Sequence, residues 1–105
     1  MDKPLIITTT LERKEDAERI AALLIDRRLV ACAQISAPII SIYKWQGKVV
    51  TATEFLLSLK TLARHYPTVE QLIIQEHPYE IPEIIAQEII HVSKTYKDWL
   101  SEEVA

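Results

Sequence analysis

The sequence predicts an α+β domain in the order β-α-β-β-α-β, and three observations predict it. Short runs of β-branched residues alternate with longer stretches whose apolar residues recur at three- and four-residue spacing. The single glycine, Gly47, falls between two strand-like runs, where a positive φ makes a hairpin turn. The chain has 105 residues, 49% of them hydrophobic and 26% charged, which suits one soluble domain over residues 1–105 with a core of its own.

Residues 4–10 carry Ile6, Ile7, Thr8, Thr9 and Thr10 and read as a short strand. A helix follows over 12–28, with Ala17, Ile20, Ala21 and Leu24 on one stripe. Thr9 and Glu12 match a capping box at its start, and Arg27 and Arg28 suit the negative end of its dipole. Residues 29–35 are apolar and predict a second strand, ended by Pro38. Residues 39–45 and 48–60 predict the two arms of a long hairpin around Gly47. Leu56 breaks the polar face of the return strand, which implies cover on both sides of the sheet.

A second helix is predicted to begin between 61 and 66 and to run to 76. Leu62, Tyr66, Val69 and Ile73 form its stripe, and Pro67 lies in its first turn. Residues 83–92 fit a helix through Ile81, Ile84, Ile85 and Ile89, or a strand through Ile84, Ala86, Ile90 and Val92. A strand there completes the split βαβ, or ferredoxin-like, arrangement. Residues 95–102 predict a short C-terminal helix with Tyr96, Trp99 and Leu100 on one side. Right-handed crossovers place both long helices on one face of the sheet. An apolar second face then calls for cover, most simply by another copy of the chain.

Composition excludes several functions. A formal net charge of −3 offers no basic surface for nucleic acid. No apolar run approaches the roughly 18 residues that span a bilayer, so no membrane partner is expected. One cysteine, Cys32, excludes an internal disulfide. With no signal-peptide pattern at the start, that predicts a reducing cytoplasm. One glycine cannot build a phosphate loop.

The polar residues concentrate in residues 77–83, His-Pro-Tyr-Glu-Ile-Pro-Glu. Pro78 and Pro82 stiffen the segment and push His77 and Ile81 toward extended backbone. Such a segment works as a rigid connection or as a frame for polar side chains. No spacing joins Cys32, Glu54, Lys60, Tyr79 or Glu80 into a catalytic set, so no enzymatic activity and no tightly bound organic cofactor are expected. Cys32, between two alanines in an apolar run, is expected to be packed. No two of His65, His77, His91 and Cys32 have metal-ligand spacing. His77, with carboxylates beside it, is the best candidate for Cu(II) or Zn(II).

Several blocks carry a resemblance. They are residues 29–33 (LVACA), 41–48 (SIYKWQGK), 59–61 (LKT), 77–85 (HPYEIPEII) and 96–100 (YKDWL). Together the chain resembles the divalent-cation tolerance proteins, the CutA family, from about Ile6 to Leu100. The resemblance implies a ferredoxin-like subunit, a homotrimer, and a cytosolic role tied to copper and other divalent cations. It also implies a strand over residues 83–92. Glu76 and His77 stand where some relatives have adjacent histidines, and Thr8, Thr9 and Thr10 where bacterial relatives can carry a cysteine. Gln34 replaces a common asparagine, and Gln87 and Glu88 replace more apolar residues. His77, Glu76 and Glu80 are therefore the expected metal ligands, for Cu(II) or another divalent cation. Trp45, Glu54, Lys60 and Tyr79 are expected to line a cleft between subunits. Two other functions stay open. One is a trimer similar to the nitrogen-regulatory PII proteins, taking a small effector or anion in those clefts. The other is a structural, partner-anchoring trimer.

Overall fold

The computed structural model describes residues 2–105. Its element order is β1 (Pro4–Leu11), α1 (Lys14–Asp26), β2 (Cys32–Ile35), β3 (Ile39–Trp45), β4 (Lys48–Leu62), α2 (Tyr66–Glu76), β5 (Ile85–Glu88) and α3 (Lys94–Glu103). A 3-10 turn, Ala63–His65, leads into α2. The sheet is antiparallel throughout, in the order β2-β4-β1-β5. β4 is 15 residues long and serves two partners along one edge. Its C-terminal half pairs with β2, and its N-terminal half with β3, which continues β2 beyond the break at Pro38. That is the expected ferredoxin-like arrangement.

Both longer helices lie on one face. Ala17, Ile20, Ala21 and Leu24 of α1 and Val69 and Ile73 of α2 enclose Ile7, Leu11, Leu57 and Leu59 of the sheet. Burying each large side chain contributes about 2 kcal/mol. α3 lies elsewhere: Leu100 and Val104 close over Leu62, with Ala31 and Tyr96 beside them. Register puts Leu62 on the opposite face from Leu57 and Leu59. The chain thus covers one end of its own second face, a contribution that Tyr96, Trp99 and Leu100 only partly signalled.

Beyond the core, β3 and the start of β4 project as a two-stranded arm. Gln46 and Gly47 both have positive φ, 51° and 80°, and Trp45 pairs with Lys48, so the tip is a two-residue turn. The arm accounts for a long axis of 45 Å against 26 and 24 Å across. Its apolar residues are bare: Ile40, Ile42 and Val49 are 72, 70 and 69% exposed.

Several expected boundaries shift for local reasons. β1 continues to Leu11, which is fully buried opposite Phe55, so α1 starts two residues late. Thr9 therefore caps nothing: it is buried in the strand, and its Oγ1 has no hydrogen-bond partner. Arg27 and Arg28 lie outside the last helical turn. Arg27 is the C-cap, and Arg28 takes φ 56° and donates to the main-chain oxygens of Glu102, Glu103 and Val104. Leu29 donates to Leu24 and closes α1, so the strand begins only at Cys32. The strand expected over 83–92 is confined to Ile85–Glu88, the part that pairs with β1.

Candidate functional site

The segment after α2 is fixed by its own side chains. The His77 N–H donates to Ile73 at 2.8 Å and ends the helix. His77 then turns inward and is only 7% exposed. Its Nε2 lies 2.8 Å from the Thr10 carbonyl, and the Tyr79 N–H donates to its Nδ1 at 3.1 Å. These partners require the neutral tautomer with hydrogen on Nε2. A second proton would land on Nδ1 and break the bond from Tyr79. Burial pushes the His77 pKa below its ordinary value, against the opposing pull of the Thr10 carbonyl and of Asp16 and Glu54.

Tyr79 stands edge-on to the imidazole, with ring centroids 4.6 Å apart. Its hydroxyl donates to Glu54 Oε2 at 2.8 Å. Burial and then the Glu54 carboxylate push this phenol's pKa well up. Glu54 is 6% exposed although it comes from the root of the arm. The network Thr10–His77–Tyr79–Glu54 thus ties the proline-stiffened segment to the end of β1 and to β4.

Between that segment and the arm lies an open groove of about 1230 Å³. Glu12, Glu54, Glu80 and Glu83 line it, with Tyr43, Trp45 and Tyr79 and the apolar Ile42, Ile81 and Pro82. No lysine, arginine or histidine lines it. Of the expected cleft residues, Trp45, Glu54 and Tyr79 meet here, together with Glu80 from the expected metal set. Lys60 does not. It lies six residues along β4 from Glu54, about 20 Å at strand rise. Its Nζ donates to Gln34 Oε1 at 2.7 Å and sits 6.0 Å above the Tyr96 ring.

The expected metal ligands are not brought together. Both ring nitrogens of His77 are committed within the chain. Glu76 accepts from Arg19 at 2.7 Å, and the same guanidinium donates to the Glu76 carbonyl at 2.9 Å. Only Glu80 is unencumbered on the groove. Among the described residues no three histidine, cysteine or carboxylate groups are placed to hold one metal ion. A Cu(II) site of Glu76, His77 and Glu80 therefore does not fit one chain as folded, because His77 must first give up two hydrogen bonds and Glu76 an ion pair.

Sequence reasoning missed Glu12, Tyr43 and Glu83 on the groove, and Arg19 behind it. Glu83 had a signal, since it follows Glu80 by three residues across Pro82. Glu12 had none while it was read as the first turn of a helix. Cys32 is half-buried.

The sequence family described as CutA1 divalent ion tolerance protein matches residues 5–103. The divalent-cation tolerance protein CutA of Thermus thermophilus is 39% identical over 97 residues, which span 92% of this chain and 94% of that one. Among solved structures, CutA1 of the psychrotrophic bacterium Shewanella sp. SIB1 superposes with a TM-score of 0.93 at 37% identity, covering 97% of this chain and 95% of that one. CutA of Archaeoglobus fulgidus, described as a periplasmic divalent cation tolerance protein, superposes at 0.94 with 36% identity over 97% of this chain and 99% of that one. With a family match over nearly its whole length and the same fold in relatives of more than 30% identity, the chain belongs to the CutA1 divalent ion tolerance family.

Proposed function

We propose that the protein is a non-catalytic homotrimer of the cytoplasm that binds divalent cations and contributes to metal tolerance. The observation that carries the binding is the acidic groove: four carboxylates line it and no basic side chain does. Since no three of them converge, a cation there is held by one or two carboxylates with water completing its shell. Glu54 is held there, nearly dry, with a phenol as its partner and no cation. A buried carboxylate is normally paired with positive charge. The donors are oxygens alone, which suit Mg(II), Mn(II) or Ca(II) better than Cu(II). His77 acts by position, holding Tyr79 and through it Glu54. The exposed isoleucines of the arm support the trimer, because a bare apolar surface of this kind calls for cover by a partner.

The same electrostatics disfavour an anionic effector in this groove, since Lys60, the cation expected to hold it, is bound to Gln34 instead. Calorimetric titration of Mn(II) and Cu(II) into metal-free protein tests the reading. Wild type should bind Mn(II), and the double variant Glu80→Gln/Glu83→Gln should bind it at least about tenfold more weakly, a loss of about 1.4 kcal/mol. Equal affinity in the two proteins contradicts it.

A further inference from the structure

α3 has little along its length to hold it in place. It is 10 residues long, too short to be a stable helix by itself. The Ser93 cap and the Lys94–Asp98 ion pair are local to the helix, so they do not dock it. Leu100 is its one buried residue, and with Val104 it packs on Leu62, apart from the main core. The other attachment is at its far end. Arg28 Nε donates to the Glu103 carbonyl at 3.2 Å, and Nη2 to those of Glu102 and Val104 at 2.9 and 3.3 Å. The Ala105 N–H donates to the Arg28 carbonyl at 2.8 Å. The Ala105 carbonyl accepts from Arg64 Nε and Nη2 at 3.3 and 2.7 Å, and lies 2.6 Å from His65 Nε2.

We propose that residues 102–105 are a strap fastened by Arg28 and Arg64, and that α3 opens as one unit when the strap lets go, while the sheet stays folded. The fastening groups come from distant parts of the chain. Arg28 belongs to the turn that ends α1, and Arg64 and His65 to the 3-10 turn before α2. Arg64 is itself held by Asp2, whose carboxylate accepts from its main-chain N–H and from its Nη1. Arg28 takes φ 56°, a conformation that costs a residue other than glycine. The last carbonyls of a helix have no partners inside it, and a guanidinium there meets the negative end of the dipole. All the side-chain bonds to the strap except the one to Val104 are exposed, so water replaces them when they break. Such a fastening releases more easily than the core unfolds. Closed, α3 covers one end of the second face. Open, it bares Leu62, Leu100 and Val104 together.

Amide hydrogen exchange of the assembled, full-length protein tests this. The amides of Lys97, Leu100 and Val104 should lose protection together, at least about tenfold more readily than those of Ile7, Leu57 and Leu59. Arg28→Gly is the informative variant, because glycine suits the positive φ and the substitution removes only the clamp. It should speed α3 exchange by a further factor of about ten and leave the sheet amides unchanged. Arg64→Ala, at an exposed position, should do the same. Wild-type α3 amides as protected as those of the sheet overturn the proposal. So do α3 rates unchanged in both variants. A loss of protection spread equally over α3 and the sheet also overturns it, because the two arginines then stabilise the whole domain and fasten no strap.

Discussion

Replacing His77 with alanine separates a clamp from a metal ligand. The side chain is buried and makes two hydrogen bonds, one to the Thr10 carbonyl and one from the Tyr79 N–H. Truncation leaves both backbone groups without partners at about 1–3 kcal/mol each if they stay dry, and opens a cavity. Entry of water offsets part of this, so a net loss of about 3 kcal/mol is expected. For a domain of this size that is a fall in Tm of about 12–24 °C. Wild type and variant must be compared at equal protein concentration, because assembly adds concentration-dependent stability. The pH dependence gives a second readout. His77 titrates lower when folded than its unfolded value of about 6.5. Between the two values the unfolded chain holds the extra proton, so stability rises with pH there. The contribution is complete above about pH 6.5 and is lost as pH falls through the folded value. His77→Ala should flatten this slope. A variant within about 0.5 kcal/mol of wild type, with an unchanged slope, refutes the clamp.

Other outcomes follow from the same contacts. Tyr79→Phe removes the hydrogen bond to Glu54 and should cost about 1–3 kcal/mol in urea unfolding. Arg19→Ala loses the ion pair to Glu76 and the cap on the α2 carbonyl, but the site is exposed, and thermal melting should show a loss of only about 1 kcal/mol. Gly47→Ala meets nothing within 4 Å, so its whole cost is the φ of 80°, about 1–2 kcal/mol in chemical denaturation. Light scattering should give three times the 12.1 kDa chain mass for wild type, and the double substitution Ile40→Glu/Ile42→Glu should shift it toward one.

Much of the fold was legible because its signals are local. The stripe Ala17, Ile20, Ala21 and Leu24 is the buried face of α1, and Gly47 does turn the hairpin. Boundaries were less legible where tertiary pairing overrode a local motif. The capping box at Thr9 gave way to a buried strand pair between Leu11 and Phe55. Residues 83–92 contained two competing periodicities, and pairing with β1 chose the short strand Ile85–Glu88. The site was half legible. Trp45, Glu54 and Tyr79 line one groove within a single chain, where a cleft between subunits was expected, and Lys60 was grouped with them by chemistry without counting the strand length that separates it from Glu54. His77 was read as a ligand because its neighbours are polar. Its actual partners, the Thr10 carbonyl and the Tyr79 N–H, are backbone groups, and the carbonyl lies 67 residues away in sequence.

The position of a bound divalent cation is the most direct test of the acidic groove. Substoichiometric Mn(II) added to isotopically labelled protein broadens backbone amide NMR signals close to the bound ion. Loss of the signals of Glu54, Tyr79, Glu80, Ile81 and Glu83 before all others is the predicted result, with the pattern abolished in Glu80→Gln/Glu83→Gln. Broadening centred on His91 or on Lys60 and Gln34, or none at all, contradicts it.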